Sequence, residues 1–412
     1  MKKFLMVLIA LLFTAGAFAQ NAGTGAQFNF NVYGLAYGAM GSVGSDDTWD
    51  YQKIRIRPMI TAGNENIQAV LRLQVDRNYG AGTHDDQVGT NDRAANVKVQ
   101  YAYLQAKDVF VQGLTFTTGY KDYFFPLIAD TELALTGVTY DFGMGTASLF
   151  YAKVEEGEYF TKESGFKTDD DVQAYILDVT VKAGNIDVRP AFFFVNSGKD
   201  NTSLLGGKDK AYIGAVNATG DMGMFDFEAT AAYLKYKVNG GDSLSGYAID
   251  LGVNVKPDKG IVVGVFANYL SGTDGSGNKA PFTVMVNDLF GYATDGRLFL
   301  LQTGGTQELG PMDGGTLGTD KYRIYEGNMS FGLNCEYTMD KFVFFVQYGY
   351  MQAAKKNYLG NKNIGQEVDV KVSYNVAPKT SLFLEYGYAK KGDDGFLADN
   401  AQQILWGLTT NI

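Results

Sequence analysis

From residue 27 to the last residue, apolar and polar side chains alternate with period two, and the connections between these runs alternate in length. Short turns fall at AGNEN (62–66), FGMG (142–145), AGN (183–185), DMGM (221–224), KPDKG (256–260), TMDK (338–341) and APKT (377–380). Longer polar loops lie between them, at 41–49, 80–94, 156–170, 197–208, 272–324, 353–363 and 391–400. Period-two alternation makes each run a strand with two unlike faces. Short connections at one end and long ones at the other describe an up-and-down antiparallel barrel with a periplasmic and an external rim. A soluble sandwich or solenoid gives no reason for that asymmetry, and no sequence repeat of fixed period is visible.

The strands are expected near 27–40, 50–62, 66–79, 95–107, 114–121, 131–142, 145–155, 171–183 and 186–196 in the first half. In the second half they are expected near 209–220, 223–238, 245–256, 261–271, 325–338, 341–352, 364–376, 380–390 and 401–412. Their lengths suit the roughly 9–11 residues of a tilted membrane strand better than the roughly 5–6 of a soluble one. The fold class is therefore all-β: a transmembrane antiparallel up-and-down β-barrel of about eighteen strands, with inward-folded loops. Sixteen is the alternative if the poorly periodic 114–142 is not a hairpin. FTVMV (282–286) and RLFLLQ (297–302) are either two further strands or an inserted lid.

Charge decides which face is which. In KIRIRPMI (53–60), Lys53, Arg55 and Arg57 share one face while Ile54, Ile56, Pro58 and Ile60 take the other. A cation on the lipid face costs about 2–4 kcal/mol at the bilayer midplane, so a one-residue slip here costs roughly three times that. The cations must face the lumen. In VDVKVSYNV (368–376) and 380–388 the same rule turns Val368, Val370, Leu382 and Leu384 outward. Residues 66–76 turn Ile67, Leu71 and Val75 outward against Gln68, Arg72, Gln74 and Asp76. Aromatics near strand ends read as two interfacial girdles. Tyr247, Tyr348, Tyr350, Tyr386 and Tyr388 form the external one, and Tyr101, Tyr103, Phe342, Phe344 and Tyr374 the periplasmic one.

The N-terminus and composition agree. MKKFLMVLIALLFTAGAFAQ has a basic start, a short apolar run and Ala17-Phe18-Ala19, which together read as a signal peptide of residues 1–19 cleaved after Ala19. The mature chain, 20–412, reads as a single barrel domain, because nowhere does a Pro- or Ser-rich linker interrupt it. Losing Lys2 and Lys3 from 35 basic residues leaves 33 against 45 acidic ones, an acidic balance that argues against nucleic acid as a partner. Cys335 is the only cysteine, which excludes a disulfide framework and a cysteine zinc cluster. The soluble competitor is a secreted β-rich adhesin or structural surface protein.

Four stretches carry a family resemblance: the leader, IRIRPMITAGNENIQAVLRLQVDRNYG (54–80), TFTTGYKDYFFP (115–126) and the terminal strand ILWGLTTNI. Together they resemble a Gram-negative outer-membrane porin of the general diffusion type. The first block is similar to a porin's early hairpin, and the second to the strand that leads into the inward-folded loop. The terminal strand resembles the barrel assembly signal, with Ile412 where the usual final aromatic stands. The resemblance implies passive diffusion of small hydrophilic solutes and ions through the outer membrane, often by a homotrimer, with no cofactor. Its partners would be outer-membrane lipid and lipopolysaccharide. A substrate-specific channel is the alternative within transport.

Pore-lining residues follow from the assigned faces. The basic set is Lys53, Arg55, Arg57, Arg72, Lys98 and Lys121, and the acidic set Asp226, Glu228 and Asp250 lies across the lumen, with Lys256 at the turn end. Such opposed walls would set up a transverse field that tunes which ions pass. Glu367, Asp369 and Glu385, on late strands, are expected to balance the early cations after closure. A barrel this wide needs an internal constriction. Its candidates are 121–131 (KDYFFPLIADT), with Tyr123, Phe124 and Phe125, and the long loop, with Leu289 and Phe290.

Enzymatic signals are weak. His84, the only histidine, sits beside Asp85 and Asp86, and neither a nucleophile elbow nor a phosphate-binding loop is present. Asp169-Asp170-Asp171 and Asp393-Asp394 are acidic runs whose expected state is solvated loop charge rather than a calcium site.

Overall fold

A computed structural model describes residues 27–44, 47–79, 96–155, 172–197, 209–237, 243–273, 282, 298, 300, 301, 327–356, 359–393 and 399–411. Eighteen strands appear in chain order. The first six are β1 (Gln27–Val43), β2 (Asp47–Gly63), β3 (Ile67–Tyr79), β4 (Asn96–Lys107), β5 (Leu114–Phe125) and β6 (Ala129–Asp141). Then come β7 (Gly145–Glu155), β8 (Val172–Ala183), β9 (Ile186–Ser197), β10 (Lys210–Asp221), β11 (Phe225–Lys237) and β12 (Ser243–Asp258). The last six are β13 (Ile261–Leu270), β14 (Asn328–Met339), β15 (Phe342–Ala353), β16 (Asn363–Ala377), β17 (Thr380–Lys391) and β18 (Ala401–Asn411).

Each strand pairs antiparallel with its sequence neighbours, and β1 closes on β18 from Tyr33↔Asn411 to Val43↔Ala401. Closure leaves no open edge, which is the condition for a β-structure to sit in hydrocarbon. The expected count of eighteen therefore holds, and 114–142 is a paired hairpin. Its weak periodicity has a physical reason: past Tyr120 it leaves the barrel wall, as described below.

The turns form as their residues dictate. At 141–145 and 221–225 the same chemistry recurs: the Asp141 and Asp221 carboxylates accept the N–H groups of Gly143 and Gly223, each at 2.8 Å. Both glycines take positive φ (87° and 80°), which is why glycine stands two residues after the aspartate.

The faces divide by solvent. Ile54 and Ile56 are 41% and 44% exposed on the outside, while Arg55 and Arg57 point into the lumen toward Asp76 and Gln74. Outward Tyr247 stacks on Tyr269 at one rim, and Phe342, Phe344 and Tyr374 cluster at the other, so both girdles exist. An exposed apolar belt around a closed barrel is a lipid-facing surface and removes the soluble adhesin reading.

Two girdle assignments are corrected. Arg72 pairs with Tyr101 but Leu73 pairs with Val99, so Gln100 is an extra residue in β4. This β-bulge reverses the alternation, because side chains on either side of one inserted residue change faces. Lys98, opposite Gln74, is inward before it, Gln100 itself reaches Glu132 inside, and Tyr101 and Tyr103 are inward after it, among Arg72, Asp122 and Lys121.

Candidate functional site: a lumen narrowed by a wall-anchored hairpin

The β4–β5 ladder ends at Ala102↔Tyr120 and the β6–β7 ladder begins at Ala134↔Lys153, so the hairpin tip between them is paired only with itself. It folds into the lumen. Tyr123, Phe125, Leu127, Ile128 and Leu133 bury against the inner faces of β7 to β12, where Phe150, Ile176, Phe193, Ile213, Leu234 and Tyr236 meet them. Tyr123 and Phe125 approach the Phe193 ring edge-on, at centroid distances of 6.1 and 5.7 Å. Apolar residues here take inward positions on strands whose interior would otherwise be wet. They are the seat for the hairpin.

The opposite face of the hairpin is polar. Asp122 and Glu132 look toward β3 and β4, while Phe124 is 44% exposed to the lumen. The Tyr101 phenol accepts from Arg72 Nη1 and donates to Asp122 Oδ2, each at 3.2 Å. Gln100 Nε2 donates to Glu132 Oε1 at 3.1 Å. Arg57 and Arg72 both act electrostatically on Asp122. Arg55, Arg57, Arg72 and Lys121 of the expected basic set share this part of the lumen, and the acids beside them are Asp76 on β3 and Asp122 on the hairpin rather than those of β11 and β12. Three of these cations are backed by rings: Arg57 by Tyr33, Arg72 by Tyr101 and Lys121 by Tyr103, at 5.7, 5.1 and 5.3 Å. Such stacking holds a cation in place while leaving its donor edges usable.

The distant acidic wall is also inside the barrel. Asp226 accepts from Asn254 and pairs with Lys256 Nζ at 2.9 Å. Glu228 faces Asn217 and Asp250 faces Asn268, at 3.5 and 3.4 Å. Lys256, at the turn end, also reaches Asp221 at 3.3 Å, which offsets part of this wall's charge. At the periplasmic end, a polar recess of about 670 Å³ is lined by Gln27, Asn29, Thr61, Asn64, Asn66 and Gln68.

The late carboxylates do something other than expected. Glu367, 1% exposed, accepts the backbone N–H groups of Leu300 and Leu301 at 2.7 and 2.6 Å. Asp369 accepts from Gln347 at 3.1 Å, and Glu385 faces Lys371 at 3.5 Å. Arg55 meanwhile binds Asp76 at 2.8 Å, its own neighbour on β3. In place of the expected balance with the early cations, these late acids have local partners, Glu367 in part of the long loop and Asp369 and Glu385 on neighbouring strands. Leu298, Leu300 and Leu301 pack with Phe266, Met351 and Ile364. Gly349 makes room, since a Cβ there would lie 2.2 Å from Leu298 Cδ2.

The constriction residues named in the sequence thus divide. Tyr123, Phe124 and Phe125 are in the inserted hairpin, whereas Leu289 and Phe290 lie outside the described residues, as do His84 and Asp169 to Asp171. Among the described residues no group of three or more His, Cys, Asp or Glu side chains is arranged to hold a metal. The sequence reading missed Gln100, Asp122, Glu132, Asp178 and Arg189. Pro190, which has no N–H for a central ladder, was the one local mark near the last pair.

A closed eighteen-stranded barrel, apolar outside, charged inside and narrowed by an inserted hairpin, has the fold of a Gram-negative outer-membrane porin. No protein-family model and no curated protein matches the sequence. Solved structures do match. OccK8 (OprE) of Pseudomonas aeruginosa aligns with a TM-score of 0.58 at 10% identity, over 94% of this chain and 98% of that one. OccAB1 of Acinetobacter baumannii aligns with a TM-score of 0.61 at 10% identity, over 93% and 96%. OccAB4 of the same organism reaches 13% identity with a TM-score of 0.57, over 94% and 99%. Likeness at these identities is a likeness of fold.

Proposed function

We propose that the protein is an outer-membrane channel through which small hydrophilic solutes and ions diffuse down their gradients, with no covalent chemistry. The observation that carries this reading is the contrast between the two faces of β2 and β3. Isoleucine and leucine meet lipid outside, while Arg55, Arg57 and Arg72 face a lumen that the hairpin narrows. The field between Arg57 and Arg72 on the wall and Asp122 and Glu132 on the hairpin would orient charged solutes in passage. The opposed set Asp226, Glu228 and Asp250 would extend it across the wider part.

A substrate-specific channel is the second reading. The ring-backed cations at Arg57, Arg72 and Lys121 favour it, since a row of fixed donors beside aromatic faces suits one solute shape more than bulk ions. Planar-bilayer recording tests both. Diffusion predicts an ohmic conductance insensitive to added solutes and a reversal potential set by lumenal charge. Current block by one class of solute at low concentration supports specificity, and a purified, folded barrel that carries no current overturns both. Assembly as a homotrimer with lipopolysaccharide at its rim belongs to the same proposal, and chemical cross-linking in outer-membrane vesicles checks it.

A further inference from the structure

The charged pair Asp178 on β8 and Arg189 on β9 spends its contacts on the hairpin rather than on the lumen. Arg189 Nε donates to Asp178 Oδ1 at 2.9 Å, and Nη2 donates to Asp178 Oδ2 at 2.6 Å. The same Nη2 donates to the Phe124 carbonyl at 2.9 Å, and the guanidinium lies 4.8 Å from the Phe125 ring centroid. The Tyr123 phenol donates to Asp178 Oδ2 at 2.9 Å. Asp178 and Tyr123 are 7% and 6% exposed and the Arg189 side chain 25%, so a buried carboxylate is paired with a half-buried guanidinium. Removing Arg189 leaves the buried Asp178 carboxylate without its counter-charge, which weakens whatever the pair holds. What it holds is three consecutive hairpin residues, 123 to 125.

On the far side, the hairpin is tied to β4 through Gln100–Glu132 and Tyr101–Asp122. We propose that Arg189 is the positioning residue of the constriction: with Asp178 it clamps the hairpin as a fixed strut, braced against β4, and so sets the aperture of the channel. Arg189 acts through the hairpin backbone and need not meet a solute. The tether is charge-assisted and two-sided, which gives it both strength and direction. An apolar seat alone would let the tip slide along the wall, because dispersion and burial are non-directional.

This inference rests on the channel reading for its meaning but not for its test. Amide hydrogen exchange across 121–133, in the detergent-folded full-length barrel, measures the clamp without any current. Arg189→Ala is expected to speed exchange there by roughly tenfold or more, the scale of one lost charge-assisted hydrogen bond, with the β13–β18 strands unchanged. Arg189→Lys should recover part of the protection. In bilayers the same Arg189→Ala barrel should show larger open-channel noise and altered conductance, with wild-type heat-modifiable gel mobility. Should Arg189→Ala fail to fold, Tyr123→Phe, which removes one hydroxyl, is measured in its place and should raise exchange and noise in the same direction. Wild-type exchange and wild-type current in the variant that folds overturn the proposal. Faster exchange in a barrel that never conducts upholds the clamp and overturns the channel reading instead.

Discussion

The phenol of Tyr101 stands between Arg72 on the wall and Asp122 on the inserted hairpin, 3.2 Å from each. It does so only because Gln100 is an extra residue in β4. A bridge of this kind joins the cationic wall to an anion on the hairpin and shortens the gap that a solute must cross. Tyr101→Phe removes the bridge and keeps the ring. Reversal potentials under a salt gradient should shift, since Arg72 and Asp122 each lose a hydrogen-bond partner and are freer to meet solutes. An unchanged selectivity would sink the idea that the bridge shapes the field.

The lumenal cations are expected to govern ion preference. An Arg55→Ala, Arg57→Ala double substitution removes two positive charges from one wall and should move selectivity toward cations, most clearly at low salt where screening is weak. The same reversal-potential measurement reads it. Identical cation/anion ratios in variant and wild type would show that these residues merely stay hydrated.

Glu367 should hold the long loop against β16. Glu367→Ala leaves the Leu300 and Leu301 N–H groups without their acceptor, at about 1–3 kcal/mol each. Limited proteolysis of the folded barrel should then cut near residues 298–301 faster than in wild type, whereas Glu367→Gln, which keeps one acceptor oxygen, should fall between. Equal cleavage rates in all three would separate Glu367 from the loop.

The lipid face is expected to be intolerant of charge. Ile56→Lys places an ammonium on the outer belt at a cost of about 2–4 kcal/mol if midplane, while Ile56→Val should cost less than about 1.5 kcal/mol. Urea unfolding from lipid vesicles measures the difference. Similar midpoints for the two variants would mean that this face does not meet hydrocarbon.

At the periplasmic rim, Asp221 is held below the ordinary aspartate range, first by the Gly223 N–H and then by Lys256. A depressed folded value stabilises the fold above the unfolded value, and that contribution is lost as pH falls through the folded one. The window therefore lies below the ordinary aspartate pKa of about 3.9. Carboxyl-carbon NMR should show Asp221 titrating below that value, and Lys256→Ala should move it part of the way back. A wild-type Asp221 with an ordinary titration would contradict the Asp–Gly turn as its cause.

Much of this protein is legible along the chain, and the reason is solvent. KIRIRPMI states its own orientation, because three cations and three isoleucines cannot exchange faces between lipid and water. The same rule applied strand by strand yields eighteen strands, both rims and most of the girdles, and the Asp-x-Gly turns announce themselves through local hydrogen bonds. Each of those features depends on residues within a few positions of one another.

What only the tertiary structure decided involves residues far apart in sequence. One inserted residue, Gln100, carries no local mark, yet it moves Tyr101 and Tyr103 from lipid to lumen. Inward apolar residues on β7 to β11 have a role only once the hairpin from β5 and β6 covers them. Glu367 reads along the chain as a lumenal charge and Asp178 and Arg189 carry no signal of their own, because the loop amides, the phenol and the hairpin carbonyl that they bind reach them only in the folded barrel. A period-two pattern records which solvent a face meets. It does not record which other part of the chain will displace that solvent, because that choice is made by shape and hydrogen-bond geometry across the finished barrel.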